Sequence, residues 1–151
     1  MSVLVYIDAK DKVAKNAYEA VYYGRLVAAK TGGEVTVVTY GSTDDATLGE
    51  VGKYGASKVL VNKELENATP AQITKLVAGA ADQAGANVII FSQDHTGKAV
   101  APRLSAKLKA GLVSGAIEEP NTDGGFKVKV NVFSGKAFGH VSVSTDKRII
   151  A

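Results

Sequence analysis

The chain has 151 residues, enough for one domain with a sizeable core, and its 46% apolar and 22% charged residues are ordinary for a soluble globular protein. The net charge of +3 comes from 18 basic and 15 acidic residues scattered along the chain. With no block of like charge and no basic stripe interleaved with aromatics, nucleic-acid binding is disfavoured. The absence of cysteine excludes disulfides, thiolate catalysis and cysteine-held metal centres, and two histidines, His95 and His140, are too few for a histidine-rich metal site.

The opening residues, Met1 to Asp8, carry no basic leader and meet an acid after seven residues, so they read as a first strand rather than a signal peptide. No apolar run approaches the roughly 20 residues needed to cross a bilayer. A cytoplasmic setting, or an equivalent compartment, is expected.

Residues 2–7 form a β-branched, apolar run of strand length. Over residues 13–30 the small and apolar side chains of Val13, Ala17, Ala20, Val21, Gly24, Val27 and Ala28 recur at helical spacing, giving one face suited to a sheet. Gly32 and Gly33 end that helix. Residues 34–40 are a second strand, apolar enough to be buried on both faces. The turn Gly41-Ser42-Thr43-Asp44 offers a helix N-cap and leads into a short helix to about Lys53. Gly55 precedes a third strand over residues 58–61.

Thr69 and Pro70 cap the next helix, whose stripe is Ile73, Leu76, Val77 and Ala80; Gly85 ends it, and residues 87–92 are the fourth strand. The segment His95-Thr96-Gly97-Lys98 reads as a turn, with a helix beginning near Ala101 because Pro102 suits a first helical position. Beyond Gly111, residues 112–118, 126–133, 136–144 and 147–150 read as strands joined by the turns at 121–125 and 134–135, which mark antiparallel hairpins. Strands alternating with helices imply a Rossmann-like parallel sheet with helices on both faces, here followed by a C-terminal antiparallel β extension. No internal repeat or interdomain linker is visible, so residues 1–151 read as a single α/β domain.

Catalytic signatures are missing. No nucleophile elbow is present, and the neighbouring acids Asp44–Asp45 and Glu118–Glu119 sit at element ends, where solvent exposure is the ordinary role. The turn from Asp8 to Lys12 has no glycine, so it lacks the dinucleotide fingerprint, and no Walker motif occurs. What remains is His95, Thr96, Gly97 and Lys98 after the fourth strand. Either Gly97 lets amides approach an anion with Lys98 adding charge, or Gly97 serves the turn and Lys98 is an exposed lysine. Arg103 lies five positions after Lys98, about 140° further round a helix, so the two do not share a small ligand. Arg103 suits a partner surface or a helix end instead. His140, flanked by apolar residues, reads as a strand residue rather than a ligand.

The run Gly97-Lys98-Ala99-Val100-Ala101-Pro102-Arg103, continuing through Leu108 to Gly111-Leu112-Val113-Ser114, resembles the N-terminal domain of the alpha subunit of electron transfer flavoproteins. Four further segments match in order: Val3 to Asp8, Gly33 to Val38, Gly55 to Leu60, and Ser134-Gly135-Lys136-Ala137-Phe138, where Phe133 and Ser134 depart from the family's hairpin pattern. The resemblance implies an adenine nucleotide alpha hydrolase-like fold and a scaffold domain packing on a beta subunit, with Arg103 and Lys136 on the partner surface. It implies a heterodimer that passes electrons by way of FAD from dehydrogenases to a quinone oxidoreductase or similar acceptor. Most FAD contacts in that family lie in a C-terminal domain beyond the matched region, so FAD is expected in the intact heterodimer and not on this chain alone. Two other readings stay open. One is a stand-alone protein binding AMP or ATP in a crevice lined by Asp8, Thr39, Gly41 and the 95–98 segment; the other is a small hydrolase, which lacks a nucleophile–base pair.

Overall fold

The computed structural model describes residues 2–9 and 12–151. Met1, and Lys10 and Asp11 of the glycine-free turn, lie outside the described residues. Six strands form one parallel sheet in the order β3-β2-β1-β4-β8-β5, and two form a separate antiparallel hairpin, β6-β7. The strands are β1 (Ser2–Tyr6), β2 (Val35–Tyr40), β3 (Lys58–Asn62), β4 (Ala86–Ile90), β5 (Gly111–Val113), β6 (Lys127–Val132), β7 (Ala137–Ser142) and β8 (Arg148–Ile150). The helices are α1 (Lys15–Thr31), α2 (Asp45–Gly49, extended by a 3-10 turn over Glu50–Tyr54), α3 (Pro70–Ala84) and α4 (His95–Leu108).

Strand periodicity divides the core into two layers. Val3, Val5, Val88, Ile90 and Ile150 point to the face covered by α1, where Ala17, Ala20, Val21 and Val27 meet them. Leu4, Ile89, Phe91 and Ile149 point to the face covered by α3 and α4, against Val77, Ala81, Val100 and Leu104. β2 is buried along its whole length, its valines packed on both faces and its Thr36 and Thr39 buried with them. Helices thus cover both faces of a parallel sheet, the Rossmann-like arrangement expected.

Local chemistry sets the ends of these elements. Asp44 caps α2 by accepting from the Thr47 amide at 3.0 Å. Thr69 and Gln72 form a reciprocal capping box at the start of α3, with Pro70 at its first position, and Gly85 closes it in the left-handed conformation at φ 63°. Replacing Thr69 with alanine is expected to cost about 1 kcal/mol in urea unfolding. Unchanged stability would mean the box contributes nothing.

Two expectations are corrected. The helix after β4 starts at His95 rather than near Ala101. Asp94 is its N-cap, and Pro102 lies inside a continuous helix with its ring exposed. The expected C-terminal antiparallel extension is present but confined to β6 and β7. Residues 112–118 form only the short β5, and β8 inserts between β4 and β5, parallel to both. The insertion is held by the Phe91 amide donating to the Ile150 carbonyl and the Ala151 amide donating to the Val113 carbonyl, each at 2.9 Å. Burial of Ile149 and Ile150 adds roughly 1.5–3 kcal/mol apiece. The return from β7 to β8 crosses directly over Gly111. A Cβ there would meet the Val143 side chain at 2.6 Å, and the Gly111 amide donates to Thr145 Oγ1 at 2.8 Å.

Candidate functional site

Chain direction across the sheet reverses between β1 and β4. At that switch point the loops leaving their C-terminal ends turn to opposite faces and open a crevice, the usual ligand position in open α/β sheets. One cavity of about 270 Å³ is lined by Asn16, Glu19, Tyr23, Ser92, Gln93 and Asp94. A second, of about 510 Å³, is lined by Asp8, Lys12, Tyr40, Ile73, His95 and Thr96.

The groups in this crevice are largely engaged with each other. The Tyr6 hydroxyl donates to Asp8 Oδ1 at 2.7 Å. Burial first, then that bond and the negative charge of Asp8, raise the Tyr6 pKa far above its ordinary value, so Tyr6 stays a neutral donor. Asp94 accepts from the Gly97 amide at 2.9 Å and from Asn16 Nδ2 at 3.1 Å, and the Ser92 hydroxyl donates to the Asn16 carbonyl at 3.2 Å. Thr39 is buried and donates to the Ile7 carbonyl, so its hydroxyl ties β2 to the end of β1.

His95, Thr96, Gly97 and Lys98 form the first turn of α4 rather than a loop before it. His95 and Thr96 reach the larger cavity, and Lys98 is exposed. Gly97 does permit a close backbone approach, but to this chain's own strand end: a Cβ there would stand 1.9 Å from the Ser92 carbonyl oxygen. Its amide already serves Asp94. Arg103 is exposed on α4, while Lys136 follows the tip of the hairpin. The two lie on opposite faces of the sheet, since α4 packs into one core layer and the hairpin residues Val128 and Val130 into the other.

The hairpin carries the most conspicuous exposed apolar surface. Phe133 is 75% exposed and Phe138 59%, with Val132 and Val141 beside them. Phe133 and Ser134 both adopt left-handed φ values, 53° and 52°, which is unusual for an aromatic residue and stores strain in the turn between β6 and β7. Lys136 Nζ lies 5.4 Å from the Phe133 ring centre and Lys129 Nζ 4.3 Å from that of Phe138. β7 pairs only with β6, leaving its other edge open among the described residues. On the inner side, loop 115–120 ties the hairpin to α1. Lys129 pairs with Glu118 at 2.8 Å, Lys30 with Glu119 at 3.3 Å, and the Tyr23 hydroxyl donates to the Glu118 carbonyl at 2.8 Å.

Burial, then the charge of Glu119, push the Tyr23 pKa up to about 12 from its ordinary 10.0. Above pH 10.0 the unfolded phenol releases a proton that the folded protein retains. The unfolded state then binds fewer protons, so folding stability falls as pH rises from 10.0 towards 12. Tyr23→Phe is expected to flatten part of that alkaline loss in pH-resolved urea titrations; an unchanged slope would remove Tyr23 as its source.

A parallel sheet covered on both faces, with a capped helix at its switch point and a separate hairpin, defines a Rossmann-like α/β protein without the glycine-rich phosphate turn. The family model described as electron transfer flavoprotein domain matches residues 3–151. The electron transfer flavoprotein subunit alpha of Bacillus subtilis is 33% identical over 99% of this chain and 46% of its own length. That of Syntrophomonas wolfei is 32% identical over 78% of this chain and 38% of its own, and Protein FixB of Clostridium saccharobutylicum is 28% identical over 74% and 34%. Among solved structures, the universal stress protein from Archaeoglobus fulgidus aligns with a TM-score of 0.46 and 18% identity, covering 68% of this chain and 87% of that one.

The chain belongs to the electron transfer flavoprotein domain family and corresponds to the N-terminal domain of its alpha subunit. It spans about half the length, or less, of the curated relatives it matches. No helix among the described residues is long and apolar enough to cross a membrane.

The flavin implied by the family name brings a pyrophosphate if it is FAD, and such sheets hold pyrophosphate on glycine-rich amides at a helix N-terminus. At this crevice the Gly97 amide is taken by Asp94, and the lining sets Asp8, Glu19 and Asp94 against a single lysine, Lys12. These residues do not fit a pyrophosphate.

Proposed function

We propose that this chain is the scaffold domain of an electron transfer flavoprotein alpha component. It packs on a beta subunit in a heterodimer that carries electrons from dehydrogenases by way of FAD, acting as an electron carrier rather than a catalyst and working in the cytoplasm. The observation that carries the reading is the hairpin tip, where Phe133 and Phe138 are exposed and held in place beside Lys136 and Lys129. Exposed aromatics are the composition of a protein interface anchor, with charged side chains such as these lysines belonging to its polar rim. Arg103 would belong to a second contact, on the other face of the sheet.

In this reading FAD belongs to the assembled heterodimer, and the carboxylate-lined crevice gives this chain no place for the dinucleotide's phosphates. After incubation with FAD and gel filtration, the isolated chain is expected to elute without flavin absorbance. Stoichiometric retention of flavin would overturn the division of labour proposed here. Binding of AMP or ATP in calorimetry would instead favour a stand-alone nucleotide-binding protein.

A further inference from the structure

We infer that Ser134 and Gly135 are positioning residues, whose left-handed turn holds the Phe133 ring clear of the hairpin and ready-formed for the partner. This role rests on the reading that a beta subunit seats on the hairpin. Pairing ends at Val132 and Ala137, so residues 133–136 make the whole connection between β6 and β7. The Lys136 amide donates to the Phe133 carbonyl at 3.0 Å, and the two residues between them, Ser134 and Gly135, have φ values of 52° and 81°. Those are the angles of a type I′ turn, which favours Asn-Gly and here is built from Ser-Gly. Phe133 precedes it at φ 53°, making three left-handed residues in succession. In that conformation a Cβ crowds the following carbonyl oxygen.

Little within the chain offsets this crowding. The Phe133 ring is mostly in solvent, and Lys136, whose Nζ lies 5.4 Å from the ring centre, is itself exposed. Ser134 is exposed, and its side chain makes no hydrogen bond among the described residues. The two other described non-glycine residues with positive φ have ordinary reasons for it. Asn67 is of a type that enters this region readily, and Lys109 closes α4 with its amide donating to the Ser105 carbonyl. Strain that the fold does not need, beneath an aromatic ring that packs on nothing, suits binding. A ring already held outside loses less freedom when a partner closes over it. Phe138 sits in the regular strand β7 and needs no such support.

Calorimetric titration of the beta subunit with single variants, beside their melting temperatures, tests this role. Ser134→Val keeps both rings but disfavours a left-handed backbone, and is expected to weaken binding about tenfold. Ser134→Asn, which accepts that backbone, is expected to restore it. Phe133→Asn removes the ring and relieves the crowding, so it should raise Tm by about 2–4 °C while weakening binding about tenfold or more. A residue needed only for the fold would not move the two readouts in opposite directions. Unchanged affinity in Ser134→Val, or a lowered Tm in Phe133→Asn, would overturn the assignment. Phe138→Ser separates that failure from failure of the underlying reading. If it weakens binding while Ser134→Val does not, only the positioning role falls. If neither Phe138→Ser nor Phe133→Asn alters affinity, the beta subunit does not seat on the hairpin, and both fall.

Discussion

Gly97→Ala is expected to destabilise the fold by about 3 kcal/mol or more. The added methyl would stand 1.9 Å from the Ser92 carbonyl oxygen and 3.1 Å from its carbon, and a backbone carbonyl cannot rotate away as a side chain can. Either the first turn of α4 unwinds, losing the cap on Asp94, or the end of β4 shifts and disturbs the strand between β1 and β8. Gly79 provides the contrast. It lies on the exposed side of α3, and a Cβ added there would meet nothing within 4 Å, so Gly79→Ala is expected to stabilise by about 0.5–1 kcal/mol. Urea unfolding of the two variants reads both signs. A Gly97→Ala protein within about 0.5 kcal/mol of the parent would contradict the close approach of α4 to β4.

Phe133→Ser with Phe138→Ser is expected to leave folding stability within about 1 kcal/mol of the parent, because both rings are mostly in solvent. Binding to the beta subunit should weaken about 100-fold, close to 2.7 kcal/mol, if these rings are the anchors of that interface. Calorimetric titration of the subunit with each variant separates the two effects. Undiminished affinity would move the interface away from the hairpin. A large loss of stability would instead show that the rings support the fold.

Much of this architecture is legible in the sequence because the signals are local. The β-branched run of β2, the stripe on α1 and the Thr69–Pro70–Gln72 start of α3 each name their own element, and the structure places each within one or two residues of the sequence-based bounds. The start of α4 is misplaced by the same kind of signal, because Pro102 points strongly to a first helical position and draws attention from Asp94. Yet Asp94 stands three residues before Gly97, the spacing at which a cap carboxylate meets a first-turn amide. β8 is harder to read. Three residues carry little pattern, and their position between β4 and β5 depends on Gly111 making room for Val143 and Thr145, which are 32 and 34 residues away.

The switch-point crevice shows the same limit. Sequence places His95, Thr96 and Gly97 near it, but does not show that Asp94 and Asn16, 78 residues apart, meet and occupy the helix end. Nor can Phe133 and Phe138 be told from core aromatics by alternation alone; only the packing of Val128 and Val130 against the α1 layer shows which side of the hairpin is left bare. Arg103 and Lys136, grouped by family resemblance, fall on opposite sides of the sheet and so cannot belong to one small contact.

The most direct test of the proposed role is the composition of the natural-length gene product, affinity-purified from its own cells and measured by light scattering with simultaneous flavin absorbance. The account predicts a one-to-one complex with a second, beta-type subunit that carries bound flavin. A product that elutes alone, with neither a second subunit nor flavin, would contradict it.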